Sequence, residues 1–371
     1  MSEMSFDAVV VGAGIVGASC AWQLMLAGER VAVIDAGAPG MVATAAGMGH
    51  IVVMDDSPAI FALTVLSRKT WDEVAPALPK DAVYFRPGTA WVAENDAELA
   101  IVRSKHAFYR DRGIEAEMLD AAELATREPN LRRGMLGALV IPGDAVVSAP
   151  AAARWMVEQV CSSGGAFITG APVVALSGGR AELSDGRVMT GKITVNAAGA
   201  AAPLLTPGLP IRARKGHLIM TERAPGFCRY ELIELGYLTS CHGRADESVA
   251  FNVQPRADGQ VLIGASRQFG SHGPDLEPRI LKLMLDRCTY FMPKLSTLRH
   301  EKTWTGFRPA SADSLPLIGP HPRDPRLFIA AGHEGLGITG AIASGRLVAD
   351  LALGRTPPIP HVPYLPSRFS F

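Results

Sequence analysis

The sequence predicts an α/β protein: a Rossmann-like domain interrupted by an inserted antiparallel sheet. Three observations predict it. Gly12, Gly14 and Gly17 lie between a valine run and an alanine-rich stretch in "DAVVVGAGIVGASCAWQLMLAGERVAVIDAG", Asp7 to Gly37. Asp35 closes a second apolar run. Near the other end, "RLFIAAGHEGLGITGAIASGRLVADLALG" again reads as strand, glycine loop and helix.

Ala8 to Val11 is short, continuous and β-branched, which predicts a buried parallel strand. Ile15 to Ala27 predicts a helix and Val31 to Ile34 a second strand. The glycines therefore sit at a strand-to-helix turn, where a dinucleotide fingerprint needs them. Gly12 allows the tight turn, Gly14 lets backbone approach a pyrophosphate, and Gly17 lets helix pack on sheet. The helix N-terminus offers N–H groups and partial positive charge to phosphates. Asp35, at the end of the second strand, is placed to accept bonds from ribose hydroxyls. Packing alone explains the glycines but gives no reason for the acid.

Further along, Ala82 to Ala93 reads as strands around the turn Arg86-Pro87-Gly88. Asp96 to Gly113, Ala121 to Glu128 and Pro150 to Gly164 read as helices. Four short strands follow, "AFITG", "PVVALSG", "RAELSDG" and "ITVNAAG", with Asp185-Gly186 as a hairpin turn. "GHLIMTER" and "ESVAFNVQPRADGQVLIGAS" predict a larger antiparallel sheet, and Pro278 to Tyr290 an amphipathic helix. Pro357 to Pro366 predicts an extended C-terminal arm. The nucleotide-binding domain is thus expected from 1–80, 145–214 and 303–371, and the inserted domain from 81–144 and 215–302.

The chain has 371 residues and 48% hydrophobic content, enough for two domains or one large α/β unit. Lys+Arg and Asp+Glu balance at 36 each, which argues against a nucleic-acid protein. Five scattered cysteines, Cys20, Cys161, Cys228, Cys241 and Cys288, form no CxxC pair. They suit free thiols in a reducing compartment and exclude an ordinary iron–sulfur cluster held by this chain alone. No metal site is expected. Val9 to Leu26 is apolar, but acids precede it and glycines and Gln23 break it. We read no signal peptide and no membrane span, and expect a soluble, cytoplasmic protein.

Four motifs in order, "VVVGAGIVGASCAWQL", "VNAAGA" (Val195 to Ala200), "GFRPASADSLPLIGP" (Gly306 to Pro320) and "AAGHEGLGITGAIASGRLVADL", give a resemblance over nearly the whole chain. It resembles flavin amine oxidoreductases of the D-amino-acid oxidase, glycine oxidase and sarcosine oxidase type. The "GHEGLGITGA" form looks most like flavin subunits of multisubunit opine oxidases and D-hydroxyproline dehydrogenases. The resemblance implies FAD rather than NAD, in a Rossmann-like FAD-binding domain of the glutathione-reductase type with an inserted antiparallel-sheet substrate domain. It implies an amino-acid or imino-acid substrate, D-hydroxyproline or a related secondary amino acid, and partner subunits carrying electron-transfer cofactors.

Carried over residue by residue, the resemblance puts the cofactor on Gly12, Ala13, Gly14, Ile15, Val16 and Gly17, and on Asp35 and Ala36 after the second strand. Ala46, Gly47 and Met48 in "ATAAGMGH", Val173, Ala198, Gly199 and Gly306 follow. The last set is Gly335, Leu336, Gly337, Ile338 and Thr339, in a loop whose N–H groups would favour negative charge on reduced flavin. Ala201 stands where the family usually has an aromatic residue.

Arg308 is implied as the substrate-carboxylate residue. Its guanidinium suits two parallel bonds to a carboxylate, and the competing reading is an ion pair to Asp313. Met48 matches a position near the flavin ring, though methionine also serves as core filler. His50 either assists proton movement or satisfies a local hydrogen bond. His217 and His242 are weaker candidates on the same logic. Glu334 reads equally as a substrate-facing or a solvated acid. Leu262 falls where sarcosine oxidases carry an oxygen-activating lysine, which favours a dehydrogenase. No cysteine adjoins Arg308, so noncovalent FAD is expected. The alternatives are a stand-alone oxidase using oxygen and a non-catalytic dinucleotide-binding subunit.

Overall fold

A computed structural model describes residues 5–236, 246–271 and 273–370. Cys241 and the candidate His242 lie outside the described residues. The chain divides into two compact units. One comprises Met1–Tyr84, Val147–Ala213 and Phe307–Phe371; the other comprises Phe85–Val146 and Arg214–Gly306.

The first unit is built on a sheet in the order Leu317–His321, Asp324–Ala331, Val188–Asn196, Ser5–Val11, Val31–Ile34 and Ala166–Ile168. The last five strands are parallel, and the first is antiparallel to its neighbour. The valine run is buried, as continuous apolar strands of a covered parallel sheet must be. The helix Ile15–Leu26 packs against Ala149–Ser162 and Gly337–Ala352. Gly345 permits the second of these contacts, since a Cβ there would stand 2.6 Å from the Ser19 carbonyl oxygen. The hairpin turn at Asp185-Gly186 forms with Gly186 at φ +85° and Arg187 N–H donating to Asp185 Oδ1.

Three departures from the sequence reading have local causes. Within Ala82 to Ala93 only Thr89–Ala93 is an extended strand; Lys80–Ala82 is a 3-10 turn that exits through Val83 in a left-handed conformation, φ +44°. The C-terminal arm is not simply extended. It forms 3-10 turns at Val362–Tyr364 and Pro366–Arg368, where Tyr364 is buried and donates to the Ala59 carbonyl at 2.6 Å. A helix at Pro58–Val74 is absent from the sequence reading. Its signal was present: Ser57 caps the Ile60 N–H, and Pro58 occupies the first helical position.

The second unit carries an eight-stranded sheet containing Glu247–Pro255, Gln260–Gln268, Glu231–Glu234, Thr89–Ala93, Gly137–Ile141 and Glu117–Asp120. Glu231–Glu234 pairs parallel to Thr89–Ala93, and the flanking pairs are antiparallel. The amphipathic helix Pro278–Phe291 lays Ile280, Met284, Cys288 and Phe291 into the core. Phe291 stacks on Phe251 with centroids 4.5 Å apart, a geometry that adds roughly 0.5–1.5 kcal/mol beyond burial.

Glu128 is a charge-prone group in this unit. It is buried, and its Oε1 accepts from Arg229 N–H and Tyr230 N–H, while Oε2 has no hydrogen-bond partner among the described residues. Desolvation pushes its carboxyl up to about 7, against the downward pull of those two N–H groups. The folded protein therefore retains a proton that the unfolded chain releases near the ordinary carboxyl range. The stability associated with it is full below that range, falls as pH rises to about 7, and stays low above. Glu128→Gln keeps an acceptor and removes the charge. Urea unfolding should show the variant more stable by on the order of 1–3 kcal/mol at pH 8 and nearly unchanged at pH 5. A gain equal at both pH values would rule out the charge as its source.

Candidate active site

The first-unit glycines divide by what surrounds them. A Cβ on Gly12, which has φ +107°, would lie 2.4 Å from the Ala197 carbonyl oxygen. One on Gly17 would lie 1.9 Å from the Gly12 carbonyl oxygen. Both positions are closed by backbone. Gly14 is different: within 4 Å a Cβ would meet only Thr44 Oγ1, at 3.2 Å. Gly14 starts the helix without a side-chain cap of its own. Thr44 Oγ1 instead accepts from Ile15 N–H at 3.0 Å, while Val16 follows within the helix.

Asp35 clamps the turn. Its Oδ2 accepts from Ala13 N–H at 2.7 Å and its Oδ1 from Gly37 N–H at 2.9 Å, past the exposed Ala36. A carboxylate in that position retains lone pairs for a hydroxyl group.

The "ATAAGMGH" loop meets the start of the last helix. Thr339 Oγ1 donates to the His50 carbonyl at 2.9 Å, and a Cβ on Gly47 would stand 2.7 Å from Ile338 Cδ1. Ala46 N–H bonds the Val42 carbonyl, which folds the loop into a turn. The structure thus brings Ala46, Gly47, His50, Ile338 and Thr339 together. Met48 is half-buried in the same loop. Trp71, fully buried on the Pro58–Val74 helix, donates its indole N–H to the Ile338 and Thr339 carbonyls. That contact was invisible to the sequence reading because the partners are 267 and 268 positions apart.

Glu334–Leu336 forms a 3-10 turn, and Gly337–Ala352 follows as a helix with no side-chain N-cap. Its first N–H groups are of the kind that bind anionic groups. Glu334 sits at φ +50° and accepts the Gly335 N–H on its own Oε2, so it braces the loop.

At the exit of Val188–Asn196, the buried Asn196 donates to the Ala202 carbonyl and Thr206 Oγ1, and accepts Ala198 N–H. This holds Ala198 and Gly199, at φ +58°, where a Cβ on Gly199 would meet nothing within 4 Å. Val173 packs at the edge of the cluster containing Ile34 and Ile168. Gly306 falls in the second unit, and Arg308 in the first, on the strand His300–Ser311.

Arg308 is half-buried. Asp313 is engaged elsewhere: Arg368 donates to both its oxygens, at 2.7 and 3.1 Å, and Leu315 N–H donates to Oδ1. His217 has a structural role within the second unit. It is fully buried, its Nε2 accepts Glu277 N–H, and its Nδ1 lies 3.1 Å from Ser266 Oγ. Beside it the buried Lys215 ammonium pairs with Glu277, whose carboxyl Gln268 and Lys215 hold down at about 2.

An open hollow lined by Phe6, Asp7, Arg30, Lys192 and Arg326 lies at the opposite, N-terminal ends of the strands. Its cations already serve the fold: Lys192 pairs with Asp7 at 2.8 Å, and Arg326 donates to the Gly191 and Lys192 carbonyls.

Residues 7–351 match the family model for FAD dependent oxidoreductases, DAO. The chain belongs to the DAO family of FAD dependent oxidoreductases. The strand–glycine turn–helix, the Asp35 clamp and the uncapped last helix fit the dinucleotide that the DAO family binds. This DAO chain is 27% identical over 363 residues to glycine oxidase of Geobacillus kaustophilus, covering 93% of this chain and 92% of that protein. It is 26% identical over 377 residues to one of the subunits of opine oxidase from Rhizobium meliloti, covering 94% and 96%. The crystal structure of the Geobacillus kaustophilus glycine oxidase superposes with a TM-score of 0.88 at 25% identity, covering 99% of this chain and 100% of that one. L-proline dehydrogenase from P. horikoshii superposes with a TM-score of 0.89 at 22% identity, covering 100% and 98%, a likeness of fold. Among the described residues no helix is long and apolar enough to cross a membrane.

Proposed function

We propose that this protein is an FAD-dependent dehydrogenase that oxidises the Cα–N bond of an amino or imino acid to an imine. D-hydroxyproline or a related secondary amino acid is the substrate we favour. Arg308 carries the reading: a half-buried guanidinium, in a family motif, on a chain alike over nearly its full length to glycine oxidases and to an opine oxidase polypeptide. When bound, noncovalently in this reading, FAD supplies the two-electron acceptor. Gly12 to Gly17, Asp35, Gly47 and Gly335 to Thr339 hold it. Arg308 binds the substrate carboxylate through two charge-assisted bonds and so fixes the Cα–H orientation. Met48 and His50 border the reacting centre from their loop. The substrate amine enters neutral, so no strong base is needed.

Leu262 supports a dehydrogenase over an oxidase. It is buried and apolar, in register with Met220 on the neighbouring strand, so no ammonium stands at that position to promote oxygen reduction. The opine oxidase likeness supports partner subunits as electron acceptors. The purified protein should be bleached by its substrate and turn over with an artificial dye, in a screen of glycine, sarcosine, and both enantiomers of proline and hydroxyproline. Stopped-flow reoxidation should be slow in air and fast with dye. Rapid oxygen consumption with stoichiometric peroxide would replace this reading with the stand-alone oxidase.

A further inference from the structure

His333 lies beneath the loop that the proposed function places on the cofactor, and that function leaves it unused. Its side chain is buried, and burial lowers the imidazole to about 4, so the ring is neutral. Nε2 is 2.7 Å from Ser344 Oγ. Ser344 donates its single hydroxyl proton to the Gly340 carbonyl at 2.8 Å. With the Ser344 proton on the Gly340 carbonyl, the bond between the two side chains takes its proton from the imidazole as the Nε2–H tautomer; in the other tautomer Ser344 donates to Nε2, and either way the bond ties the ring to the helix. The ring also packs under the helix start: a Cβ on Gly340 would lie 3.6 Å from His333 Cδ2, and one on Gly337 would lie 3.6 Å from His333 Cβ. The His333 carbonyl accepts Leu336 N–H, closing the intervening turn.

The helix is held from a second side. Trp71 binds the Ile338 and Thr339 carbonyls, and Ser67 Oγ accepts Ala343 N–H, whose helical partner is the Thr339 carbonyl. The first turn is thus fixed through its carbonyls and through His333, while its leading N–H groups carry no side-chain cap.

We propose that His333 is a positioning residue for the cofactor loop: its bond to Ser344 fixes how the N–H groups of Gly337 to Thr339 are presented to the flavin. The inference rests on the reading that Gly335 to Thr339 border the flavin. N–H groups so held favour the anionic reduced cofactor, so loosening them should weaken reduced FAD more than oxidised FAD.

The test uses holoenzyme carrying His333→Phe, Ser344→Ala, both together, or His333→Gln, which can retain a donor near Nε2. The readouts are the FAD dissociation constant, the flavin midpoint potential and the melting temperature of the apoprotein. Each single variant is expected to weaken FAD binding about tenfold and to lower the preference for reduced flavin about tenfold, equivalent to about 30 mV for a two-electron couple. The double variant should be no worse than either single one, and His333→Gln should recover most of the loss. Variants that lower only the apoprotein melting temperature, with affinity and potential at wild-type values, would overturn the proposal. Gly337→Val separates the two layers. If it shifts the flavin spectrum and potential while His333→Phe does not, His333 has no positioning role but the loop assignment stands. If both are silent, the loop does not border the flavin and both readings fall.

Discussion

Gly14→Val should yield folded protein without flavin. At Gly12 and Gly17 any side chain collides with backbone, so substitution there tests folding as much as binding. Gly14 has an ordinary negative φ of −64° and only the Thr44 hydroxyl within reach of a Cβ. A Cβ there asks Thr44 Oγ1 to give by a few tenths of an ångström, and a branched side chain fills the space through which backbone approaches a pyrophosphate. We expect near-wild-type circular dichroism and an apoprotein melting point within a few degrees of the parent. FAD binding should weaken by more than roughly 100-fold, about 3 kcal/mol. A yellow protein with full occupancy would show that the turn does not bind the pyrophosphate.

Arg308→Ala should retain FAD and lose substrate. Removing one member of a desolvated, hydrogen-bonded charge pair costs on the order of 2–5 kcal/mol. The corresponding fall in kcat/KM is roughly 30- to 4,000-fold, with flavin content and melting temperature unchanged. Arg308→Lys should recover only part of the loss, because a compact ammonium cannot make two parallel bonds to one carboxylate. Asp313 gives a control, since its carboxylate pairs with Arg368. Asp313→Asn should affect stability before it affects kcat/KM. Unchanged kinetics in Arg308→Ala would return Arg308 to a structural role.

The strand–glycine turn–helix was legible because its constraints are local. Gly12 and Gly17 must lack side chains for reasons set within a strand–turn–helix, and Asp35 follows at the end of the next strand. The hairpin at Asp185-Gly186 and the helix beginning at Pro278 were legible for the same reason. Where neighbours compete, local pattern does not decide the structure. The segment from Ala82 to Tyr84 is apolar enough for a strand but leaves its 3-10 turn through a left-handed valine. The Pro-rich tail folds into turns because Tyr364 finds a buried site against Ala59.

By itself, the sequence determined a dinucleotide fold, the positions of its glycines and acid, and the family to which the chain belongs. Only the tertiary structure decided which polar groups lock the site. Thr44 reaches Ile15 N–H across 29 positions, Thr339 reaches the His50 carbonyl across 289, and Asp313 pairs with Arg368 across 55. His333 and Ser344 are only 11 apart, yet their bond exists because a loop folds back beneath its own helix. A glycine is demanded by the sterics of its nearest neighbours, so its reason is written in local spacing. A buried donor must find whichever acceptor packing brings within about 3 Å, and that choice is made only when the elements assemble.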